Sequence, residues 1–128
     1  VFTADSLMAL GCGRLFEGTP AQMWQSLLKL RALPEQTRVC SGHEYTETNY
    51  RFALTVDPDN PALLTRGEAI SAARAEGRPT VPSTLAEETA TNPFLRADHP
   101  DLKAALGMPE ASAVDVFAEV RARRDRFQ

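Results

Sequence analysis

The stretch Thr37-Arg38-Val39-Cys40-Ser41-Gly42-His43-Glu44-Tyr45-Thr46 divides the chain into two parts with different patterns. Its first residues are β-branched and apolar, which is typical of a buried strand. Gly42 then permits a sharp exit, and His43 follows at once. Because strand ends in layered α/β folds open onto clefts, this arrangement suits a histidine that binds a metal or a substrate. A histidine that only caps the strand and hydrogen-bonds locally is the alternative, and this stretch alone does not separate the two.

A helix is predicted upstream of this stretch. Thr19 suits the N-cap, Pro20 suits the first helical position, and Gln22 can complete a capping box. Pro34 stops the helix. Its apolar residues recur at helical spacing, which predicts a stripe facing the core rather than a ligand site. The stripe consists of Met23, Trp24, Leu27, Leu28 and Leu30.

A strand is also predicted at the start of the chain, over residues 1–5. Strand, helix and strand in this order form a crossover unit, so the two strands are expected to be parallel in one sheet. Asp5 and His43 would then lie at the same edge of that sheet. The pattern therefore predicts that a carboxylate and an imidazole, remote in sequence, meet in one cleft.

Beyond Tyr45 the sequence favours helices, over residues 47–56, 62–76, 101–106 and 112–127. A short turn or helix is predicted at 83–87, where Ser83 and Glu87 approach a capping pattern. No strand is predicted after Val81. The last helix is expected to bury one apolar face, made of Val114, Phe117, Ala118 and Val120.

Composition excludes some classes of protein. The net charge of −3 argues against a nucleic-acid binder, which usually carries a basic excess. No apolar run is long enough to cross a membrane, and no signal peptide is expected at the start of the chain. Cys12 and Cys40 lack metal-type spacing, so both are expected to be reduced thiols in a cytoplasmic protein.

Five short segments carry a resemblance to a known family. They are Thr3-Ala4-Asp5-Ser6-Leu7, Gly11-Cys12-Gly13-Arg14-Leu15-Phe16-Glu17-Gly18-Thr19, Gly42-His43-Glu44-Tyr45-Thr46, Pro79-Thr80-Val81-Pro82-Ser83-Thr84-Leu85 and Asn92-Pro93-Phe94-Leu95-Arg96. In their order and spacing they resemble the hydroxyacylglutathione hydrolases, the glyoxalase II family. The resemblance implies an α/β plus all-α fold in two parts. Residues 1–44 would be the last strands of a metallo-β-lactamase αββα sandwich, and residues 45–128 a helical domain that binds a glutathione thioester.

The resemblance also implies a metal centre. The family holds two divalent metal ions, zinc or alternatively iron or manganese, and hydrolyses S-D-lactoylglutathione to D-lactate and glutathione. Asp5 matches the aspartate that bridges the metals, and His43 matches the last histidine ligand, so both are the implied catalytic residues. Ala4 departs from the family, which usually has glycine there. Anionic oxygen and neutral imidazole are donors that suit such ions.

Four residues match substrate-binding positions of the family: Arg14, Tyr45, Arg121 and Arg124. The last two would hold the glycine carboxylate of glutathione, since guanidinium groups pair well with carboxylates. A solvated cationic helix end is the alternative for them. Phe16 stands where some members have tyrosine, and phenylalanine lacks the hydroxyl that makes one of the substrate contacts.

The chain resembles the C-terminal half of the family, and the family's Thr-His-x-His-x-Asp-His metal motif does not occur in it. We therefore expect the chain by itself to be inactive, to bind metal weakly and to self-associate through open sheet edges. Two alternatives stay open. A persulfide dioxygenase of the same superfamily typically lacks the long helical extension, and a non-catalytic binding or assembly module would need no complete metal site.

Overall fold

The computed structural model describes residues 2–4, 7–8, 11–12, 19–41, 46–80 and 83–127. The strands in these ranges are β1 (Phe2–Ala4), β2 (Leu7–Met8), β3 (Gly11–Cys12), β4 (Arg38–Ser41) and β5 (Ser83–Thr84). The helices are α1 (Pro20–Arg31), α2 (Thr46–Val56), α3 (Pro61–Ala75), α4 (Leu85–Thr91), α5 (Pro100–Ala105) and α6 (Ala113–Arg126), and a 3₁₀ turn spans Pro93–Leu95. None of the described helices is both long enough and apolar enough to cross a membrane.

The strands confirm the predicted crossover and correct one expectation. β1 and β4 are parallel, with Phe2 opposite Cys40, and α1 lies between them in sequence. β5 pairs antiparallel with the other edge of β4, with Ser83 opposite Val39, so the prediction of no strand after Val81 was wrong. A two-residue strand is too short to show the alternation that identifies strands in a sequence. β2 and β3 form a separate hairpin, and the wider αββα sandwich stays a prediction.

Local signals set the helix ends as predicted, with one exception. The Thr19 hydroxyl accepts from the Gln22 amide while the Gln22 side chain accepts from the Thr19 amide, which completes the capping box of α1. α3 ends just before Gly77, whose φ of 71° lies in the left-handed region that favours glycine. At α4 the box is formed by Thr84 and Glu87, not by Ser83. Ser83 lies in β5, where its hydroxyl donates to the carboxylate of Glu88.

Aromatic rings form the centre of the main core. Centroids 5.6–6.1 Å apart link these rings into a continuous chain that draws on α1, α2, the 3₁₀ turn and α6. Such spacings are favourable for aromatic pairs. In order along this chain the rings are Trp24, Phe117, Phe94, Phe52 and Phe127. Trp24 and Leu27 are buried as predicted, and Val39 of β4 joins the same core. The core is therefore continuous from α1 and β4 to the last helix.

The buried face of α6 differs from the predicted one. Phe117 and Val120 are buried as expected, but the other buried positions are Val116 and Arg121. Val114 and Ala118, which the pattern placed on the buried face, are only partly buried. Hydrophobic spacing could not include an arginine, because an arginine is normally assigned to the solvent face.

Arg31 fastens the end of α1 to the loop after the 3₁₀ turn. Its Nη1 donates to the Leu95 carbonyl at 3.0 Å, and Nη1 and Nη2 each donate to one carboxylate oxygen of Asp98 at 2.8 Å. The guanidinium also lies over the Trp24 ring, 5.5 Å from its centroid. Through this hydrogen-bonded pair, Asp98 raises the pKa of Arg31, and Arg31 holds the pKa of the Asp98 carboxyl below its ordinary value.

The Arg31–Asp98 pair predicts a pH dependence of stability. A carboxylate with a lowered pKa in the folded state stabilises the fold above its unfolded pKa, near 3.8 for Asp98, and loses that contribution as the pH falls through the folded value. We expect Asp98→Asn to cost at most about 1 kcal/mol at pH 7, because the Asp98 side chain is 42% exposed. The difference from the unsubstituted chain should vanish in strong acid. Urea unfolding at several pH values measures it.

Asp59→Asn is the control, since Asp59 is an exposed aspartate in the turn between α2 and α3 and its substitution changes the net charge equally. Equal and pH-independent effects of the two substitutions would contradict the prediction.

Candidate functional site

The structure describes two of the six predicted site residues. Arg121 and Arg124 lie one turn apart in the last part of α6. The other four, Asp5, Arg14, His43 and Tyr45, lie outside the described residues, and their roles stay predictions. Within the described ranges, no group of three or more histidine, cysteine, aspartate or glutamate side chains could hold a metal ion.

Arg121 is almost completely buried, with its side chain 5% exposed. Its guanidinium lies over the Phe94 ring at 5.1 Å from the centroid, and Nη2 pairs with Asp125 Oδ1 at 2.9 Å. Nε donates to the same oxygen at 3.2 Å. The side chain is therefore oriented from one side by an aromatic face and from the other by a carboxylate one turn along the helix.

Arg124 is half-buried and lies between two aromatic rings. Its guanidinium carbon is 6.0 Å from the Phe52 centroid and 5.8 Å from the Phe127 centroid. Nη2 donates to Asn49 Oδ1 at 3.4 Å, which is a long hydrogen bond. Cation–π contact with two rings restrains the plane of the guanidinium, and the amide oxygen restrains its direction.

The arginines at the end of α6 separate into two pairs. Arg123 and Arg126 have side chains that are 37% and 68% exposed, and both face the carboxylate of Glu119. The alternative of a solvated cationic helix end describes this outer pair. Arg121 and Arg124 instead turn toward the aromatic core, where positive charge is held at a partly dehydrated surface.

Two buried asparagines enclose the backbone of Gly11, at the start of β3. A Cβ at Gly11 would lie 2.6 Å from Asn49 Nδ2, so only glycine lets β3 approach α2 this closely. On the other side, Asn92 Nδ2 donates to the Gly11 carbonyl at 3.0 Å. Asn92 also accepts from the Phe94 amide through Oδ1 at 3.0 Å. The helices thus hold β3, two residues before Arg14 in the sequence, by side-chain amides.

The segment from Asn92 to Arg96 has a structural role throughout. Phe94 and Leu95 are fully buried in the core, and the Leu95 carbonyl accepts a hydrogen bond from the Arg31 guanidinium. Arg96 Nε lies 3.3 Å from Asp57 Oδ2, but its N–H is not directed at that oxygen, so the contact is an ion pair and not a hydrogen bond. These contacts connect the 3₁₀ turn to α1 and to the end of α2.

A buried ion pair connects α3 to α4. Arg66 Nη2 lies 2.7 Å from Glu88 Oε2, and the side chains are 7% and 0% exposed. Arg66 Nη1 also donates to Thr91 Oγ1 at 2.7 Å. Glu88 accepts from the Ser83 hydroxyl through Oε2 at 2.5 Å and from Asn92 Nδ2 through Oε1 at 3.2 Å. Each carboxylate oxygen therefore has a donor, as a charge in the interior requires.

Sequence reasoning missed Asn49, Arg66, Glu88 and Asn92 as organising residues. Asn92 precedes a proline and caps the 3₁₀ turn, and an Asn-Pro dipeptide is a recognisable signal for that role. Its contact with Gly11, 81 residues away, carries no local signal. Glu88 lies in the first turn of α4, where an acidic residue is ordinarily assigned to the exposed helix N-terminus.

Comparison with known protein families identifies one that matches the helical part of the chain. The model of the family described as "Hydroxyacylglutathione hydrolase C-terminus" matches residues 44–127. The chain belongs to this family. The matched range contains α2 to α6 and therefore both asparagines that contact Gly11, the buried ion pair and the two inward-facing arginines.

Curated relatives in the hydroxyacylglutathione hydrolase family are similar over nearly the whole chain. The hydroxyacylglutathione hydrolase of Ruegeria pomeroyi is 69% identical over 127 residues, which is 99% of this chain and 50% of the relative. That of Jannaschia sp. is 70% identical over the same shares. That of Methylococcus capsulatus is 56% identical over 128 residues, or 100% of this chain and 50% of the relative. The chain spans about half the length of these relatives.

The Arg66–Glu88 pair predicts a large loss of stability on Glu88→Ala. Removing one partner leaves a buried guanidinium without its carboxylate and deprives Ser83 and Asn92 of their acceptor. We expect a cost of about 3–5 kcal/mol in the free energy of unfolding. Chemical denaturation measures this, and replacing both partners together, Arg66→Met with Glu88→Leu, should recover part of the loss.

Glu47→Ala is the matched control, because it removes the exposed pair between Glu47 and Arg74, whose side chains are 62% and 40% exposed. That change should cost below about 1 kcal/mol. If Glu88→Ala cost no more than Glu47→Ala, the buried network would not have the role assigned to it.

Proposed function

We propose that this chain forms the C-terminal half of a hydroxyacylglutathione hydrolase, a cytoplasmic enzyme that hydrolyses S-D-lactoylglutathione to D-lactate and glutathione. The family match over residues 44–127 carries the proposal. The relatives that bear this enzyme name, at 56–70% identity over nearly all of the chain, support it. Residues 1–44 are assigned to the metal-binding sheet domain and residues 45–128 to the helical domain that binds the thioester.

The proposed enzyme holds two divalent metal ions. Asp5 and His43 are the residues of this chain that would hold these ions, through a carboxylate and an imidazole. Carboxylate oxygen and imidazole nitrogen suit zinc, iron or manganese, but two donors are fewer than the three or four that a protein zinc site needs. Within the described residues, no cluster of three or more histidine, cysteine, aspartate or glutamate side chains supplies the rest of the set. Bound metal would lower the pKa of a water and polarise the thioester carbonyl.

Glutathione carries a carboxylate on its glycine, and we assign its recognition chiefly to Arg124. The Arg124 side chain is half-buried near the end of α6 and contacts Phe52 and Phe127. A guanidinium has the planar N–H geometry that pairs with a carboxylate. The long hydrogen bond from Arg124 to Asn49 brings the side chain beside α2, the helix that follows His43 and Tyr45 in the sequence. Tyr45 and Arg14 are assigned to the peptide part of the substrate.

Arg121, one turn before Arg124 on α6, has a structural role as well as the proposed binding role. Because it is buried against Phe94 and paired with Asp125, its loss would damage packing as well as any substrate contact. Substitution of Arg121 would therefore change both the stability of the fold and the binding of substrate. Substitution of Arg124 is the better test of carboxylate recognition.

The proposal predicts that the metal-loaded enzyme containing this chain hydrolyses S-D-lactoylglutathione. The decrease in thioester absorbance measures the rate. A persulfide dioxygenase would instead consume oxygen with glutathione persulfide as substrate, and a binding or assembly module would do neither. Oxygen uptake without thioester hydrolysis, or no turnover of either substrate by metal-loaded protein, would contradict the assignment.

Arg124→Ala should weaken binding of the thioester. The contact is remote from the reacting carbonyl in the proposed arrangement, so it acts alike on ground and transition states and affects KM more than kcat. Loss of a charge-assisted hydrogen bond predicts a rise in KM of about tenfold to a hundredfold. Steady-state kinetics of the enzyme measure both constants.

Arg123→Ala is the control, because Arg123 is the neighbouring arginine, carries the same charge and pairs outward with Glu119. Its KM should stay within about twofold of the parent value, as expected for a partly exposed i,i+4 pair that faces away from the proposed substrate. A similar KM increase in both variants would indicate a general effect of charge and would remove the specific role of Arg124.

A further inference from the structure

Asn49 is the buried polar residue of α2 that contacts both Arg124 and the Gly11 backbone. It is 3% exposed, although its amide lies beside a charged group at the edge of the core. We propose that Asn49 is a positioning residue, which orients the Arg124 guanidinium and so sets the affinity for the substrate carboxylate. The inference rests on the proposed function, because it concerns the residue assigned there to carboxylate recognition.

Aromatic contacts alone leave the direction of the Arg124 side chain undetermined. The Phe52 and Phe127 rings restrain the plane of the guanidinium, with centroids 6.0 and 5.8 Å away, but a planar cation can turn or slide over a ring at little cost. Recognition of a carboxylate by two parallel N–H groups needs a defined direction within that plane. The hydrogen bond from Nη2 to Asn49 Oδ1 constrains this direction.

Packing around Asn49 explains how a single long hydrogen bond can be effective. Asn49 lies on α2, whose neighbouring residue Phe52 also contacts the guanidinium, so one helix supplies two of the restraints. A Cβ at Gly11 would lie 2.9 Å from Asn49 Cγ, which shows that the amide is pressed against the β3 backbone. That backbone is itself fixed by Asn92 through the Gly11 carbonyl. The amide oxygen is therefore held in place before a substrate arrives, which lowers the entropic cost of binding.

An uncharged oxygen suits this position. A carboxylate in place of the amide would attract the guanidinium strongly and compete with the carboxylate of a ligand. The amide oxygen directs the guanidinium and adds no charge of its own. Asn49→Asp is consequently expected to harm binding more than Asn49→Ala, although it preserves the size of the side chain.

The experiment is a double-mutant cycle between Asn49 and Arg124 in the full enzyme, with S-D-lactoylglutathione as substrate. Asn49→Ala should raise KM about three- to tenfold with kcat nearly unchanged, as loss of one modest hydrogen bond predicts. In the Arg124→Ala background the same change should leave KM unaltered, because the residue it positions is gone. Asn49→Asp should raise KM above the value for Asn49→Ala.

A substrate whose glycine carboxylate is converted to an amide provides a readout that a merely structural role would not affect. Asn49→Ala and the parent enzyme should bind this analogue with equal KM. If Asn49→Ala proves too unstable to assay, Asn49→Ser tests the same prediction with a smaller disturbance, and Gly11→Ala displaces Asn49 from the side of β3 without changing either residue of the pair.

The outcomes separate this inference from the proposed function. If Arg124→Ala leaves KM unchanged, the carboxylate assignment itself fails. If Arg124→Ala raises KM but the effects of Asn49→Ala are absent, additive in the cycle or equal for the amide analogue, Asn49 has only a packing role and the inference is overturned.

Discussion

The amide of Asn92 is the contact on which the arrangement of strands and helices depends. Its nitrogen donates to the Gly11 carbonyl of β3 and also approaches Glu88, while its oxygen accepts from the Phe94 amide. Asn92 is fully buried, and such a group is tolerated only when its donors and acceptors are satisfied. One side chain thereby fixes the 3₁₀ turn, the end of α4 and the hairpin in a single geometry.

The buried pair between Arg66 and Glu88 extends that contact to α3. Ion pairs in the interior stabilise little relative to a well-packed apolar pair, since dehydration of both charges offsets their attraction. They do restrict the geometry, because any arrangement that leaves one buried charge without its partner has a large free-energy cost. A buried methyl group has no such requirement for a partner. With Ser83, Thr91 and Asn92 around it, the pair defines how α3, α4 and β5 meet. We therefore interpret the Arg66–Glu88 pair as a contact that selects one arrangement of these elements, and not as a large source of net stability.

Local chemistry allowed much of the fold to be predicted. The capping box of Thr19 and Gln22, the parallel pairing of β1 with β4 and the buried Trp24 and Leu27 all follow from short-range pattern or from chain topology. The inward arginines and the pair of asparagines around Gly11 do not, because their partners are remote in sequence and polar residues give no hydrophobic periodicity. Arg121 and Arg124 could be selected from the sequence only through the resemblance to a family. Their contacts with Phe94 and Phe52 required the structure.

The start of α4 places two adjacent glutamates in opposite surroundings. Glu87 is exposed, and its carboxylate accepts a hydrogen bond from the Thr84 amide. Glu88 points into the interior, where it pairs with Arg66. Each position along a helix is rotated by about 100° from the last. Inserting or deleting one residue between Thr84 and Glu88 would turn the interior carboxylate outward and leave Arg66 facing a helix backbone. The exposed side chains of this segment can therefore be substituted with little effect on the fold, whereas the number of residues between its two ends is constrained.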